Sequence, residues 1–400
     1  MYGPVGQAPY GTAGTPPLVG RHDVLRTLGD ALDGAAGGTF QLLGLAGEPG
    51  AGKTRLLGEL ARIAAERRLP MLWGRAAEFE QQTPFGVVVD ALDDQMEDLA
   101  EGLSERLGTE AGRLLAGVFP SLSATALADR ESSEDLTGLA RYRLYRAVRS
   151  LLDELARPRG LVLILDDVHW ADDTSVELLD HLVRHPPRGQ VLLAVAYRPA
   201  QVSPRLTAVV EAAVETPGGL GRQVTVGPLT QDEVEELLGP QVGRARCRSL
   251  YEASGGNPFY LEALARMDRS AEPAGDADDG WPPAATGVGA GLPGGSMGPG
   301  EQAGVPPAVR AALQLELAGL SETALLVARA AAVVADEFEP ALVAVTAEVT
   351  EESALQALDE VVARDVVRPA ASGRFRFRHP LVRQAAYGSA APGWRLAAHA

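Results

Sequence analysis

GEPGAGKT, residues 47–54, joins an apolar segment to a segment with helical spacing. It has the form G-x-x-x-x-G-K-T, the pattern of a phosphate-binding loop between a buried strand and a helix. The glycines let backbone N–H groups approach phosphates closely, and the helix N-terminus adds partial positive charge. We therefore expect a consecutive set of residues to bind nucleotide phosphates: Gly47, Glu48, Pro49, Gly50, Ala51, Gly52, Lys53, Thr54 and Arg55.

Lys53 is the only lysine among the 36 basic residues of this 400-residue chain. Arginine supplies every other fixed positive charge, so a lysine here indicates a position that needs a compact charge on a flexible stem. In a phosphate-binding loop this lysine reaches the β- and γ-phosphates, and the next hydroxyl holds Mg²⁺. The pattern assigns these two tasks to Lys53 and Thr54. ATP or ADP is the expected nucleotide, because guanine-reading loops commonly use N-K-x-D and neither the sole asparagine nor the sole lysine lies in one.

A second polar feature follows the apolar stretch LVLIL, where Asp166 and Asp167 come in sequence. A carboxylate at the tip of a strand beside the loop can complete a Mg²⁺ shell, the task expected of Asp166. Asp167 is a candidate to polarise the attacking water, although two aspartates can also simply cap a turn. Arg198, after the fourth predicted strand, either faces the γ-phosphate or is a solvated arginine. His169 and the following tryptophan are expected to be packing residues.

The apolar segments predict an α/β fold with a doubly wound parallel sheet, because strands and helices alternate up to about residue 228. The predicted strands are residues 39–46, 71–76, 161–167, 191–197 and a short one near Val224. Thr174 and Glu177 fit a capping box at the start of the helix after the third strand. Residues 1–17 read as a disordered lead-in and residues 269–304, rich in Gly, Pro and Ala, as a disordered insertion. Residues 305–400 predict helices and a two-stranded wing, and the ending WRLAAHA suggests a longer protein.

The composition excludes several classes of protein. The net charge of −17 disfavours non-specific nucleic-acid binding, because an acidic surface repels phosphate backbones. Cys247 is the single cysteine, which excludes an internal disulfide and favours a reducing compartment, the cytoplasm. Apolar runs such as residues 161–165 and 191–196 are far shorter than the roughly 20 residues of a membrane helix.

Six segments occur in the order found in STAND-class signalling ATPases: LVGR (18–21), GEPGAGKT, LILDDVHWADD, AYRP, GGNPFYLEAL and RHPLVRQAAY. Over about residues 18–395 the chain resembles the ATPase portion of large LuxR-type bacterial transcription regulators, related to the maltose-regulon activator. The resemblance implies a P-loop core over residues 18–228, a helical lid over 229–268 and a winged helix over 305–400. It also implies that Val19 and Arg21 lie near the nucleotide base and that Pro258 packs on adenine.

His379 has two interpretations. Proline is common in a first helical turn, so His379 and Pro380 can be a cap followed by the first helical residue. The segment HPLVR also resembles the H-D-L-V-R segment of plant and animal death-switch ATPases, whose histidine touches the β-phosphate of ADP. Proline stands here in place of that aspartate.

The leading functional hypothesis is a signalling switch driven by ATP binding and slow hydrolysis. Slow turnover is expected because Asp167 is one methylene shorter than the glutamate of many fast ATPases. The resemblance implies self-association in the ATP state, an unknown inducer, and DNA contact only through a domain absent from these residues. A P-loop small-molecule kinase and a non-hydrolysing, ATP-dependent scaffold are the alternatives.

Overall fold

The computed structural model describes residues 18–100, 102–123, 138–216, 219–271 and 306–399. The chain divides into two compact units, residues 1–227 and 228–400, which are described separately. The predicted lead-in, residues 1–17, and most of the predicted insertion lie outside the described residues. Within the described ranges, no helix has the length and apolar character needed to cross a bilayer.

The first unit is built on a five-stranded parallel sheet with strand order β2-β3-β4-β1-β5. This confirms the predicted doubly wound α/β fold, and all five predicted strands are present. β1, β3 and β4 are buried along their whole length, which explains their nearly continuous apolar sequences. The strands are β1 Gln41–Gly47, β2 Met71–Arg75, β3 Leu161–Asp166, β4 Val191–Tyr197 and β5 Gly221–Val226.

Helices cover both faces of this sheet. On one face, Leu43 and Leu45 of β1 belong to a core shared with α1 and α2, and on the other, Leu42 belongs to a core shared with α3 to α9. Successive side chains of a strand point to opposite faces, so each central strand contributes to both cores. These helices are α1 His22–Ala36, α2 Lys53–Glu66, α3 Gly86–Leu99, α4 Leu103–Leu107, α5 Thr109–Ala116, α6 Pro120–Ser123, α7 Gly138–Leu155, α8 Asp173–Arg184 and α9 Pro204–Glu215.

The predicted capping box at Thr174 is wrong. The cap of α8 is Asp172, whose carboxylate accepts a hydrogen bond from the backbone N–H of Ser175 at 2.9 Å. Glu177 does not turn back to the helix start. It accepts a hydrogen bond from the hydroxyl of Tyr145 at 2.8 Å instead. An acidic residue two positions before the predicted cap was the better candidate.

The second unit begins with three helices, α10 Gln231–Leu238, α11 Arg244–Ser254 and α12 Pro258–Ala271. α12 extends to Ala271, so residues 269–271 are helical, contrary to the predicted start of the insertion at residue 269. Val234, Leu250 and Leu261 form the centre of a small apolar cluster between these three helices.

A larger core joins the remaining elements of this unit to Tyr260 of α12. Its three-stranded antiparallel sheet has the order β6-β8-β7. The predicted two-stranded wing corresponds to β7 and β8, whereas β6 was not predicted, since it has only two residues. The elements are α13 Pro307–Ala318, α14 Glu322–Val334, β6 Glu337–Phe338, α15 Pro340–Ala347, α16 Glu351–Ala363, β7 Val367–Pro369, β8 Phe375–Phe377, α17 Pro380–Ser389 and α18 Pro392–Ala398.

Candidate nucleotide-binding site

Three glycines determine the backbone of the loop between β1 and α2. Gly50 and Gly52 have φ values of 77° and 97°, in the left-handed region that glycine adopts without steric cost. Gly47 lies so close to β5 that a Cβ atom would be 2.9 Å from the carbonyl oxygen of Val226. The backbone of the predicted loop therefore favours glycine at all three positions. Of the other loop residues, Ala51 is buried, Pro49 and Arg55 are partly buried, and Glu48 is exposed.

Lys53, the first residue of α2, is buried, and its side chain turns back into the loop. Nζ donates hydrogen bonds to the carbonyl oxygens of Gly47 at 2.9 Å and Glu48 at 3.0 Å. Burial, followed by the positive charge of Arg198, lowers the pKa of Lys53 to about 8, although nearby carboxylates oppose this shift. The ammonium group thus lies within the curve of the loop, where a phosphate would replace the two carbonyl acceptors.

Thr54 and Asp166 meet directly. The Thr54 hydroxyl donates to Oδ2 of Asp166 at 2.8 Å, and Oδ1 of Asp166 accepts from the backbone N–H of Asp167 at 2.9 Å. Asp166 is fully buried, and burial, followed by the negative charge of Asp167, raises its pKa. Hydroxyl and carboxylate oxygens are the hard ligands that Mg²⁺ prefers, usually together with phosphate and water. The pair therefore fits a Mg²⁺ ion bound with a nucleotide, and the described ranges hold no cluster of three or more candidate metal ligands.

Asp167 lies between a cation and a histidine. Arg75, the last residue of β2, donates to Oδ2 of Asp167 through Nη2 at 2.7 Å and Nε at 3.0 Å. On the other side, Nδ1 of His169 is 4.0 Å from Oδ1. Sequence reasoning missed Arg75, because only the pairing of β2 with β3 places it beside the acidic pair.

Arg198 follows β4, the strand between β1 and β3, so it emerges at the same edge as the loop and the acidic pair. Nη1 donates to the side chain of Gln201 at 3.2 Å. Within the described part of the chain, the buried Nε of Arg198 has no hydrogen-bond partner. After burial, the positive charge of Arg198 is the largest cause that lowers the pKa values of both Lys53 and His169.

His169 is buried in the short turn Val168–Trp170, directly after Asp167. Its ring lies 4.9 Å from the Trp170 ring, centroid to centroid, with an interplanar angle of 40°. Burial, followed by the charge of Arg198, lowers the pKa of His169 to about 3, so the imidazole is neutral near pH 7. The contact with Trp170 agrees with the predicted packing role, but the position beside Asp167 was not predicted.

Arg21 links the start of the chain to the loop. The residue is buried, and Nη2 donates to the carbonyl oxygen of Gly227 at 2.6 Å and to that of Ala51 at 3.4 Å. Val19 is also buried. Arg21 therefore ties the phosphate-binding loop to the segment after β5, whereas contact of either residue with a base stays a prediction.

Pro258 and His379 both belong to the second unit. Pro258 is the partly buried first residue of α12. His379 caps α17, since Nδ1 accepts the backbone N–H of Leu381 at 3.1 Å, and Pro380 is the first helical residue. This confirms the cap interpretation. The His379 ring also packs on Tyr260 with centroids 4.6 Å apart, and its nucleotide contact stays a prediction.

Residues 17–195 match the family model described as an AAA ATPase domain. An uncharacterized protein of Rhizobium meliloti (strain 1021) is 27% identical over 280 residues. That alignment covers 64% of this chain and 26% of the relative, so the chain spans about a quarter of the length of the curated relative it matches.

Several solved structures share low similarity. A STAND protein with a tetratricopeptide repeat sensor from Pyrococcus horikoshii has a TM-score of 0.37 and 12% identity, covering 99% of this chain and 46% of its own. A RuvB variant from Thermotoga maritima has a TM-score of 0.40 and 14% identity, covering 90% and 92%. Drosophila ORC bound to DNA has a TM-score of 0.36 and 13% identity, covering 94% and 89%. Scores this low carry no argument about function. The family match and the order of the strands are the findings that bear on the fold of this chain. The first unit has the α/β fold of P-loop ATPases, and within it residues 17–195 match the model of an AAA ATPase domain.

Proposed function

We propose that this chain is an ATP-binding, slowly hydrolysing signalling switch, and that it is the regulatory ATPase module of a LuxR-type transcription regulator. One observation carries the ATPase part of the proposal. A glycine-shaped loop, the buried Lys53 and the hydrogen-bonded pair of Thr54 and Asp166 meet at one edge of a parallel sheet.

Lys53 would exchange its two loop carbonyls for phosphate oxygens of ATP or ADP, joined by backbone N–H groups of residues 47–55. Thr54 and Asp166 would hold Mg²⁺ through the oxygens that already face each other. When bound, Mg²⁺ neutralises charge on the phosphate oxygens. We assign Val19 and Arg21 to the base on the resemblance to STAND-class ATPases, and the contact of Arg21 with the carbonyl oxygen of Ala51 supports a position beside the loop.

Asp167 would orient the attacking water and Arg198 would contact the γ-phosphate. Arg75 supports the slow rate, because two hydrogen bonds from its guanidinium occupy Oδ2 of Asp167, an oxygen that would otherwise be available to orient the attacking water. The same ion pair favours a second candidate, a scaffold that binds ATP without turnover. Release of inorganic phosphate separates the two.

The second unit would convert the nucleotide state into an arrangement of domains. We assign residues 229–268 to a lid with Pro258 on adenine, and residues 305–400 to a winged helix with His379 at the β-phosphate of ADP. The three-stranded sheet with its surrounding helices supports the winged-helix assignment. The ATP state would self-associate in response to an unknown inducer, and DNA would be bound by a domain outside these residues.

The test compares wild type with Lys53→Ala and Lys53→Arg. We expect Mg²⁺-dependent binding of a fluorescent ATP analogue to fall about 100-fold or more in both, because charge-assisted contacts to two phosphates are lost or misplaced. Arg67→Ala is the matched control, since it removes a positive charge at the opposite end of α2, where Arg67 pairs with Asp33. Wild-type affinity in Lys53→Ala would refute the assignment of the loop.

A further inference from the structure

His169 is a buried polar residue beside the candidate site. Its side chain has no exposed surface, and within the described ranges neither Nδ1 nor Nε2 has a hydrogen-bond partner. A buried polar group without a partner is costly, and a phenylalanine would pack against Trp170 without that cost. Packing alone therefore does not account for a histidine at this position.

The surroundings of Asp167 indicate what the histidine does. Arg75 occupies Oδ2 with two hydrogen bonds, and Oδ1 faces Nδ1 of His169 at 4.0 Å. This separation is about 1 Å longer than a hydrogen bond, so a small rotation of either side chain would close it. A neutral imidazole carries one N–H donor, which a carboxylate oxygen accepts readily.

The charges around the ring keep this donor available. Arg198, Lys53 and Arg75 all disfavour the imidazolium form, and only Asp167 opposes them. A neutral ring can donate from Nδ1 without adding positive charge next to Lys53. The histidine can therefore hold the carboxylate without competing with Lys53 for phosphate.

We propose that His169 is a positioning residue for hydrolysis, which donates from Nδ1 to Oδ1 of Asp167 and fixes the orientation of that carboxylate when nucleotide is bound. The inference rests on the proposed ATP hydrolysis and adds a residue to it. Arg75 and His169 would then each donate to one oxygen of Asp167, from opposite sides. These hydrogen bonds would restrict rotation of the carboxylate while it orients the attacking water.

The experiment compares His169→Phe, His169→Asn and His169→Gln under single-turnover conditions with saturating Mg²⁺ and ATP. His169→Phe should slow the chemical step roughly 10- to 100-fold, the effect of losing a hydrogen bond to a charged group, while the Kd for ATP stays unchanged. His169→Asn should retain much of the rate, because its amide nitrogen is as many bonds from Cα as Nδ1. His169→Gln, with its amide one bond farther out, should rescue less.

His181→Phe is the matched control. His181 and His169 are each 7% exposed when the backbone is included, and Nε2 of His181 also has no partner within the described ranges. It lies in α8, packed against Tyr142 and Tyr145 of α7, and takes no part in the candidate site. Both phenylalanine variants should raise Tm by a few degrees, since each removes a buried unpartnered group, but only His169→Phe should lose turnover.

The outcomes separate the inference from the proposed function. If wild type binds ATP but releases no phosphate, hydrolysis fails and the positioning role fails with it. If wild type turns over and His169→Phe keeps the wild-type rate, only the positioning role is refuted. Equal losses in His169→Phe and His181→Phe would also refute it, because the effect would then come from general packing. If His169→Phe does not fold, equal rates in the Asn and Gln variants overturn the inference.

Discussion

Asp172→Ala should destabilise the first unit, because this carboxylate ties two loops together. Asp172 is 6% exposed and accepts backbone N–H bonds from Ser175 at 2.9 Å, Phe85 at 3.1 Å and Gly86 at 3.2 Å. It therefore caps α8 and fixes the start of α3, in the segments that follow the acidic pair and β2. Alanine removes the cap and one of two acceptors of the Gly86 N–H, which keeps its hydrogen bond to the carbonyl oxygen of Thr83 at 3.1 Å.

The hydrogen bonds lost in Asp172→Ala determine how far the free energy of unfolding falls. Loss of a helix cap costs about 1 kcal/mol. Phe85 retains a contact with Thr174 Oγ1 at 3.1 Å and Gly86 retains one with the carbonyl oxygen of Thr83 at 3.1 Å, so each loses only about 0.5 kcal/mol. The sum is about 2 kcal/mol, equal to a urea midpoint shift of about 0.7–1 M for an m-value of 2–3 kcal/mol/M.

Asp173→Ala provides the control, since it removes an exposed carboxylate from the same first turn of α8. Its effect should stay below about 0.5 kcal/mol. Urea unfolding gives the two free energies of unfolding, and amide hydrogen exchange should show lost protection at residues 85 and 86 only in Asp172→Ala. Equal midpoints for the two variants would refute the argument that Asp172 joins these loops.

Two further predictions concern the candidate site and the second unit. Asp167→Asn should keep the Kd for ATP but stop phosphate release, whereas Asp166→Asn should raise the Mg²⁺ concentration needed for ATP binding; normal turnover in both would show that the acidic pair is structural. His379→Ala should weaken ADP binding about 10- to 100-fold more than ATP binding and raise the mass measured by light scattering. If His379 acts only as a helix cap, nucleotide titrations will give an unchanged ratio of affinities, with a loss of about 1 kcal/mol in stability.

The sheet was predictable because its sequence signals are strong and local. Strands buried on both faces must be apolar throughout, as in residues 161–165, so they stand out from amphipathic helices. The motif of the phosphate-binding loop also predicts a strand before it and a helix after it. Its glycines then specify the local backbone, which is why Gly50 and Gly52 have the expected left-handed conformation.

Features that depend on tertiary partners were not predictable. β6 has only two residues and exists through its pairing with β8, so no periodicity reveals it. Thr174 and Glu177 satisfied the spacing of a capping box, but Glu177 gains stronger partners in Tyr145, Arg141 and Arg205. Glu177 can accept hydrogen bonds either from the start of its own helix or from several donors on other elements. The second arrangement provides more hydrogen bonds, so the side chain adopts it.

The charged residues of the site lie far apart in the sequence. Their roles could therefore be predicted one by one, but their arrangement around the acidic strand end could not. The order β2-β3-β4 places Arg75 on one side of the acidic strand end and Arg198 on the other. Arg75 forms an ion pair with Asp167, while burial, followed by the positive charge of Arg198, lowers the pKa of Lys53 to about 8. The charges of Arg198 and Lys53 thus repel each other, and nearby carboxylates offset part of this repulsion. A γ-phosphate bound as proposed would relieve this repulsion and its loss would restore it, so the protein would sense the nucleotide through Lys53 and Arg198 together.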